Sequence, residues 1–246
     1  MALGEIGRSL AGDIRVVVIR AAGRAFSAGL DRAMFSPGGL SGSASADAGA
    51  PMTKAASSGP ASTGVSSLDE VARLPAERAE SLIESWQRAF GWLRDPNLIS
   101  VAAVQGHAIG AGFQLALACD LRVLADDAQL CMAEPTLGLV PDLGGTKPLV
   151  ELVGYARALE ICVTGRHVAA AEAERIGLAN LVVPREQLDA AIQDLTAALL
   201  EAPRAAVTET KALLAAAGAR SQAEQEAAER AAQVRLLRGL SGFAEG

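Results

Sequence analysis

The feature that most constrains the fold is an uncharged run from Asn97 to Cys119. An apolar run of this length can either cross a bilayer or lie inside a globular protein. The membrane alternative is disfavoured because Gln105, His107 and Gln114 would then lie at membrane depth, where polar side chains are costly. We therefore predict that the run is buried within the protein and that no segment spans a membrane.

Within this run the pattern changes from strand to helix at a cluster of glycines. Residues Leu98–Val104 carry the β-branched side chains of a buried strand, and Gly112–Ala118 is typical of a helix. Gly106 and Gly110 lie between them, so a turn is expected there. The first N–H groups of a helix lack internal partners and carry its positive dipole end, so this junction can bind an oxyanion. A purely structural turn is the plainer alternative.

The rest of the chain alternates apolar strand patterns with helical patterns, which predicts an α/β fold. The other predicted strands are short and apolar, and they are Arg15–Arg20 (expected to be buried), Leu121–Leu124, Gln129–Met132 and Leu181–Val183. Helical patterns occupy residues 2–10, 74–93, 147–153, 155–163, 169–176 and much of the chain after 185. We predict a core at 1–184 and a C-terminal helical region at 185–246. Residues 36–67 are rich in Ser, Gly, Ala, Pro and Thr, and they predict a mobile surface insert within the core.

Composition excludes several classes of function. The net charge is −6 and only 3% of the residues are aromatic, whereas nucleic-acid binding requires a basic face and stacking rings. Cys119, Cys131 and Cys162 lie in apolar settings without metal-binding spacing. They predict a reducing compartment, the cytoplasm, with neither a disulfide framework nor a metal site. Glu5 and Arg8 interrupt the first apolar stretch, so no secretory signal is expected.

Two carboxylates lie in apolar surroundings in the middle of the chain. Glu134 follows the strand that ends at Met132, and Asp142 follows Glu134 in a Gly/Pro-rich turn. Burial raises the pKa of a carboxyl group, and mutual repulsion can separate a pair into a base and an acid. The plainer alternatives are that Glu134 pairs with a nearby arginine and that Asp142 caps the helix beginning near Gly145.

A further cluster of small residues follows the first strand, between Arg24 and Asp31. Small residues let a ligand approach the main chain closely, so that backbone N–H groups can act as donors. An ordinary loop is again the plainer alternative.

Together these features resemble the crotonase superfamily, also called the enoyl-CoA hydratase/isomerase family. The resemblance is carried by GRAFSAGLD (23–31), VAAVQGHAIGAGFQLALACDLRV (101–123), EPTLGLVPDLGGT (134–146) and TGRHVAAAEAERIGL in the following helix pair. It implies a crotonase-like spiral of strand–strand–helix units with C-terminal assembly helices, within the α/β class. It also implies that residues 1–184 form an acyl-CoA-binding core, that residues 185–246 form an oligomerisation region, and that the protein is a homo-trimer or a hexamer.

The resemblance implies that the substrate is an acyl-CoA thioester whose enolate is held by the backbone N–H groups of Ala28 and Ala111. The two carboxylates of the family's hydratases fall on Gln114 and Glu134, and an amide cannot act as a general base. Asp142 matches an acid of the dienoyl-CoA isomerase branch. Further substrate contacts are expected from residues beside these positions, namely Ala25, Ser27, Gly29, Asp31, Gly110 and Leu137.

This combination favours proton transfer over water addition. We expect Glu134 to remove a proton from the acyl chain and a proton to return at another carbon, from Glu134 or Asp142, so that a double bond shifts. Hydration of a 2-enoyl-CoA in fatty-acid β-oxidation, with Gln114 holding the water, is the alternative. A catalytically weak acyl-CoA-binding protein is the third. No separate cofactor is implied, because CoA is part of the substrate.

The sequence also departs from the family's usual pattern. Members usually have a strand pair before the first helix and a basic, aromatic C-terminal tail, and both segments often help to hold CoA. This sequence is expected to lack them. Lys211 lies on a C-terminal helix and is predicted to be solvated.

Overall fold

The computed structural model describes residues 2–30 and 67–241. Asp31 and residues 36–66 of the predicted insert lie outside the described residues, so the expectations for them stay predictions. Short strands and helices alternate along the described chain, which confirms the predicted α/β class.

The strands and helices that were predicted begin and end close to their predicted bounds. The strands are β1 (Val16–Ile19), β2 (Ile99–Val104), β3 (His107–Ile109), β4 (Leu121–Ala125), β5 (Gln129–Cys131), β6 (Val168–Ala169) and β7 (Leu181–Val183). The α-helices are α1 (Ala2–Ser9), α2 (Leu68–Ala72), α3 (Ala76–Gly91), α4 (Ala111–Ala118), α5 (Thr146–Val153), α6 (Tyr155–Thr164), α7 (Ala170–Arg175), α8 (Leu188–Glu201), α9 (Arg204–Ala217) and α10 (Gln222–Ser241). Single 3₁₀ turns are found at Trp92–Arg94, Glu134–Leu137 and Arg185–Gln187.

Two sheets organise the described residues. The larger sheet has the strand order β1–β2–β4–β7, and all of its neighbouring strands are parallel. The smaller sheet has the order β3–β5–β6, with a parallel and then an antiparallel pair. Strands β3 and β6 were not predicted, because segments of three and two residues are too short to show an alternating pattern.

The predicted burial of the first strand was wrong. All four residues of β1 are half-buried rather than buried, although they are consecutive β-branched side chains. The reason is the position of β1 at the edge of the larger sheet, where a strand has a neighbour on one side only. In contrast, β2 lies between β1 and β4, and the residues Ser100–Val104 are all buried.

The two faces of the larger sheet are covered by different parts of the chain. Successive side chains of a strand point to opposite faces. On β2, Ala102 and Val104 belong to the cluster that contains Phe113 of α4, whereas Val101 and Ala103 belong to a second cluster. A parallel sheet covered on both faces accounts for the nearly continuous apolar sequence of its central strands.

Helix α8 contributes to the second of these clusters. Leu188 and Ile192 are buried and pack in the same cluster as Val123 of β4. The segment after residue 184 therefore begins with a helix that covers the sheet. The division of the chain into a core at 1–184 and an oligomerisation region at 185–246 stays a prediction.

The uncharged run that dominates the sequence is the centre of this fold. It forms β2, β3 and α4, and in α4 Phe113, Gln114 and Leu117 are almost completely buried. The predicted strand–turn–helix order is confirmed, with β3 lying inside the turn. Across residues 2–30 and 67–241, no helix has both the length and the apolar character needed to cross a bilayer.

The prediction that Lys211 is solvated was wrong. Its ammonium group donates to the carbonyl oxygens of Asp95 (2.8 Å) and Leu98 (2.7 Å) and to the carboxylate of Asp120 (2.7 Å). Only 13% of its side chain is exposed. The carbonyl oxygens around the start of β2 need a donor, and the helical pattern around Lys211 contains no sign of this distant requirement.

Candidate active site

The first part of the site is a short strand pairing between two loops. The N–H of Ser27 donates to the carbonyl of His107 (2.9 Å), and the carbonyl of Ser27 accepts from the N–H of Ile109 (3.0 Å). The N–H of Phe26 donates to the carbonyl of Gln105 (2.8 Å). The loop that follows β1 is therefore held beside β3, directly before the start of α4.

Ser27 directly precedes Ala28, and its partners His107 and Ile109 precede Ala111. The pairing therefore holds Ala28 close to the turn that leads to Ala111. Ala111 is the first residue of α4, so its N–H has no partner inside the helix. Among the described residues, the N–H groups of Ala28 and Ala111 make no backbone hydrogen bond. Within the described residues no backbone acceptor competes for these two N–H groups, and their assignment as the oxyanion hole stays a prediction.

Glycines allow the close approach of the two loops. A Cβ atom added to Gly112 would lie 2.7 Å from Ser27 Oγ and nearer still to Ser27 Cβ. Gly29 has φ +89°, and an added Cβ there would lie 3.0 Å from the carbonyl oxygen of Ile109. The small residues that the sequence places here are required because main chain packs against main chain.

Glu134 lies against the turn that contains Gly110. It begins the 3₁₀ turn after β5, and the residue is 5% exposed. A Cβ atom added to Gly110 would lie 3.1 Å from Glu134 Oε1. The carboxyl group of Glu134 is therefore packed against the residue that precedes α4.

The two oxygens of this carboxyl group have different surroundings. Glu134 Oε1 accepts a hydrogen bond from Gln114 Nε2 at 2.7 Å, whereas Glu134 Oε2 is buried with no hydrogen-bond partner among the described residues. Burial raises the pKa of Glu134, and a weaker contribution from the charge of Asp142 acts in the same direction. The hydrogen bonds from the Glu134 main chain and from Gln114 oppose this rise. A buried oxygen without a donor is suited to accept a proton.

Gln114 has a single possible orientation in this network. Its side chain is completely buried, and its Oε1 accepts from the N–H groups of Leu143 (2.8 Å) and Gly145 (3.3 Å). Backbone N–H groups can only donate, so the amide oxygen must face them and the amide nitrogen must face Glu134. A Cβ atom added to Gly145 would lie 2.8 Å from Gln114 Cγ, so the loop and Gln114 are in close contact.

Asp142 lies in the loop that Gln114 holds. It is half-buried, and burial raises the pKa of its carboxyl group. Its charge contributes to the raised pKa of Glu134, so the structure brings the two carboxylates within electrostatic range. The carbonyl oxygen of Asp142 accepts from Gln87 Nε2 at 2.8 Å, a contact that sequence reasoning missed.

The plainer alternatives for the two carboxylates were wrong. Among the described residues, Glu134 is bonded to the amide of Gln114 and to no arginine. The residue that precedes α5 is Gly145, and no side chain caps this helix. Asp142 therefore does not cap α5.

The remaining predicted contact residues surround this centre in part. Leu137 ends the 3₁₀ turn that begins at Glu134, and it is 55% exposed. Ala25, Ser27 and Gly29 are half-buried in the loop beside β3, and Asp31 lies outside the described residues. Within the part of the chain that the structure describes, no group of three or more His, Cys, Asp or Glu side chains could hold a metal ion.

The site can be compared with known proteins. Residues 62–241 match the profile of the family described as Enoyl-CoA hydratase/isomerase. The structure is similar to a candidate enoyl-CoA hydratase from Thermobifida fusca YX in complex with acetoacetyl-CoA, with 45% identity and a TM-score of 0.82. The similarity covers 96% of this chain and 83% of that chain.

Curated relatives match shorter segments. A protein of Mycobacterium bovis named "Probable enoyl-CoA hydratase echA8" is 38% identical over 110 residues, which are 45% of this chain and 43% of the relative. A short-chain-enoyl-CoA hydratase of Clostridioides difficile is 41% identical over 113 residues, which are 46% of this chain and 72% of the relative. The chain thus aligns with less than half the length of the first of these relatives.

Proposed function

This chain belongs to the enoyl-CoA hydratase/isomerase family, and we propose that it shifts a double bond in an enoyl-CoA or dienoyl-CoA thioester. The observation that carries the proposal is the hydrogen bond from Gln114 Nε2 to Glu134 Oε1, which leaves Glu134 Oε2 without a partner among the described residues. The site then contains one buried base, Glu134, and one nearby acid, Asp142. Such a pair can move a proton between two carbons.

In the proposed reaction the thioester oxygen accepts hydrogen bonds from the N–H groups of Ala28 and Ala111. Glu134 Oε2 takes a proton from the acyl chain, and the electron pair of the broken C–H bond forms the enolate. The enolate then takes a proton at another carbon, either the one that Glu134 removed or one from a protonated Asp142, and the double bond is shifted. In the second case Asp142 is left ionised and Glu134 protonated, and a proton passes from Glu134 to Asp142 through solvent before the next turnover. Each oxyanion donor is expected to contribute about 3–4 kcal/mol to the stabilisation of the enolate-like transition state.

Hydration is the second candidate, and the names of the relatives favour it. The mycobacterial and clostridial relatives are both named as enoyl-CoA hydratases. In this chain the acceptor oxygen of Gln114 is occupied by the N–H groups of Leu143 and Gly145. Gln114 could then offer a water only the second hydrogen of Nε2, and Glu134 would have to activate that water alone.

Product mass distinguishes the two candidates. The purified protein is incubated separately with 2-enoyl-, 3-enoyl- and 3,5-dienoyl-CoA in a buffer without added cofactor. The products are separated by chromatography, and their molecular masses are measured by mass spectrometry. Isomerisation leaves the mass unchanged and is the expected result. Efficient addition of water to 2-enoyl-CoA without isomerisation of the other substrates would overturn the proposal in favour of hydration.

Variants of the two carboxylates test their roles. Glu134→Gln should abolish turnover while acyl-CoA binding, measured by calorimetry, persists. Asp142→Asn should slow isomerisation, whereas a hydratase should tolerate it. Binding of acyl-CoA by the unaltered protein with no turnover of any of the three substrates would favour an acyl-CoA-binding protein instead.

We propose acyl-CoA as the ligand and a homo-trimer or hexamer as the assembly. The acetoacetyl-CoA bound to the Thermobifida fusca neighbour supports the ligand. Tyr155, Leu159 and Val163 support self-association, because they lie four residues apart on α6 and are 70%, 47% and 64% exposed. Light scattering after size exclusion measures the assembly. A cytoplasmic location is proposed as well, and cell fractionation would test it.

A further inference from the structure

One peptide group of the site is held at both of its ends by glutamine side chains. Gln87 Nε2 donates to the carbonyl oxygen of Asp142 at 2.8 Å. The N–H of Leu143 donates to Gln114 Oε1, also at 2.8 Å. The carbonyl of Asp142 and the N–H of Leu143 belong to the same planar peptide group, so these two contacts fix the orientation of that plane.

The fixed plane limits the direction of the Asp142 side chain. Rotation of the plane would change the ψ angle of Asp142 and would break one or both of the hydrogen bonds. Arg94 Nη2 lies 3.5 Å from the carbonyl oxygen of Gly144, so a second side chain, from the 3₁₀ turn that follows α3, holds the same loop. The loop around Asp142 is therefore anchored from outside by α3 and its extension, and from inside by α4.

The hydrogen bonds also form a chain that leads to Glu134. Gln87 donates to the peptide group, the peptide N–H donates to Gln114 Oε1, and Gln114 Nε2 donates to Glu134 Oε1. All the donors point in one direction, toward the carboxyl group. Hydrogen bonds aligned in this way polarise one another, so each strengthens the next.

Among the described residues, Gln87 belongs to neither of the two apolar clusters. It is exposed on α3, and its side chain reaches a loop that lies 55 residues later in the sequence. Its neighbour Arg88 forms an ion pair with Glu84 on the helix surface and takes no part in the loop contact. A change of Gln87 should therefore leave the fold intact while it releases the carbonyl of Asp142.

We propose that Gln87 is a positioning residue that sets the direction of the Asp142 carboxyl group relative to Glu134. The proposal rests on the proposed function, in which Asp142 supplies a proton. Without Gln87 the loop can turn Asp142 toward solvent, so the proton donor would be misplaced. A displacement of about 1 Å can cost a large factor in rate, and we expect Gln87→Leu to lower kcat by roughly tenfold with KM little changed.

The test uses variants that distinguish loss of the hydrogen-bond donor of Gln87 from a change in the size of its side chain. Gln87→Leu removes the donor, and Gln87→Lys supplies a new one at the end of a flexible side chain, so it should restore part of the activity. Gln222→Leu makes the same chemical change at an exposed position of α10 and serves as the control. All three variants should keep the melting temperature of the unaltered protein within a few degrees.

A double variant tests whether Gln87 acts through Asp142. If it does, Gln87→Leu should have no further effect on kcat once Asp142→Asn is present. A tenfold loss in both backgrounds would overturn the proposal. A loss caused by Asp142→Asn but not by Gln87→Leu would overturn it as well and leave the proposed function standing.

A measurement without turnover keeps the inference separate from the proposed function. The titration of the Asp142 carboxyl group is followed by ¹³C NMR of aspartate-labelled protein, with Asp142→Asn identifying the resonance. Burial raises the pKa of Asp142, so release of the loop in Gln87→Leu should lower that pKa toward its ordinary value. If the Asp142 pKa is the same in Gln87→Leu as in the unaltered protein, the positioning role is overturned. If the pKa shifts but the unaltered protein isomerises none of the substrates, only the proposed function is contradicted.

Discussion

Gly112 lies at the contact between the two loops that present the N–H groups of Ala28 and Ala111. Replacing it with alanine should separate these loops. Gly112 is the second residue of α4, where alanine is normally favourable, so the effect comes from the contact and not from helix propensity. The added Cβ would lie 2.7 Å from Ser27 Oγ and nearer still to Ser27 Cβ.

The size of the displacement follows from these distances. Two saturated carbons are at rest about 3.5–4.0 Å apart, so the added Cβ and Ser27 Cβ must separate by more than about 0.8 Å from the distance of less than 2.7 Å at which the unchanged backbone would place them. Misplacement of about 1 Å can lower a rate about 10²-fold, and the loss of one oxyanion donor costs about 10²–10³-fold. We therefore expect Gly112→Ala to lower kcat roughly 10²-fold. Overpacking should cost about 1–3 kcal/mol of stability, partly offset by about 1 kcal/mol of helix propensity.

The assay combines turnover of the enoyl-CoA substrates, thermal unfolding and the calorimetric affinity for acetoacetyl-CoA. Gly239→Ala is the matched control, because Gly239 lies within α10 and an added Cβ would meet no atom within 4 Å. The double variant Ser27→Gly with Gly112→Ala should recover part of the activity, since the two nearest of the opposing atoms are then removed and the Ser27 carbonyl oxygen lies at 3.2 Å. A Gly112→Ala protein with unchanged kcat would refute the link between this contact and the oxyanion donors.

Other residues of the site and its support give further expected outcomes. Burial raises the pKa of Glu134 above its ordinary value of 4.5, so the folded protein binds the carboxyl proton more tightly than the unfolded chain does. The free energy of unfolding therefore falls as the pH rises from 4.5 through the pKa of the folded state. Glu134→Gln should therefore raise the melting temperature at neutral pH but not below pH 4.5, as measured by calorimetry. Gln114→Glu would put a carboxylate where Nε2 now donates at 2.7 Å, so the acid limb of the pH–rate profile should move to higher pH. Arg122→Met leaves the carbonyls of Cys119 and Leu178 without their donor, and urea unfolding should show a loss of about 2–5 kcal/mol. Equal stability losses for Arg122→Met and the exposed control Arg20→Met would contradict the structural role of the buried arginine.

The central strand and helix could be predicted from the sequence because their pattern is local and strong. The uncharged run carries β-branched residues in β2 and small residues at the start of α4, and each of these is visible within a few positions. Strand β3 has no such signal. Its three residues become a strand only through pairing with β5 and with Ser27, which are distant in sequence.

The residues of the site likewise include some that could be predicted from the sequence and some that could not. Glu134 and Gln114 could be selected by resemblance, and the structure brings them together across 20 positions of sequence. The orientation of the Gln114 amide could not be predicted, because it depends on the N–H groups of Leu143 and Gly145, which lie about 30 positions away. Gln87 carries no signal at all, since an exposed glutamine on a helix is ordinary until the loop that it contacts is known.

The amide at position 114 changes what a single buried carboxylate can do. A carboxylate at this position would repel Glu134, and one of the two groups would have to stay protonated. Gln114 instead donates to Glu134 at 2.7 Å, which favours the ionised form and partly opposes the rise in pKa that burial causes. Its oxygen meanwhile binds the loop that carries Asp142, so the same side chain that leaves Glu134 ready to take a proton also holds the second acid nearby. In the proposed reaction Glu134 is the base and Asp142 the acid, and one neutral side chain contacts both Glu134 and the loop of Asp142. The proposal that a proton moves along an acyl chain rests on this arrangement, because hydration in the family uses two carboxylates where this chain has only one.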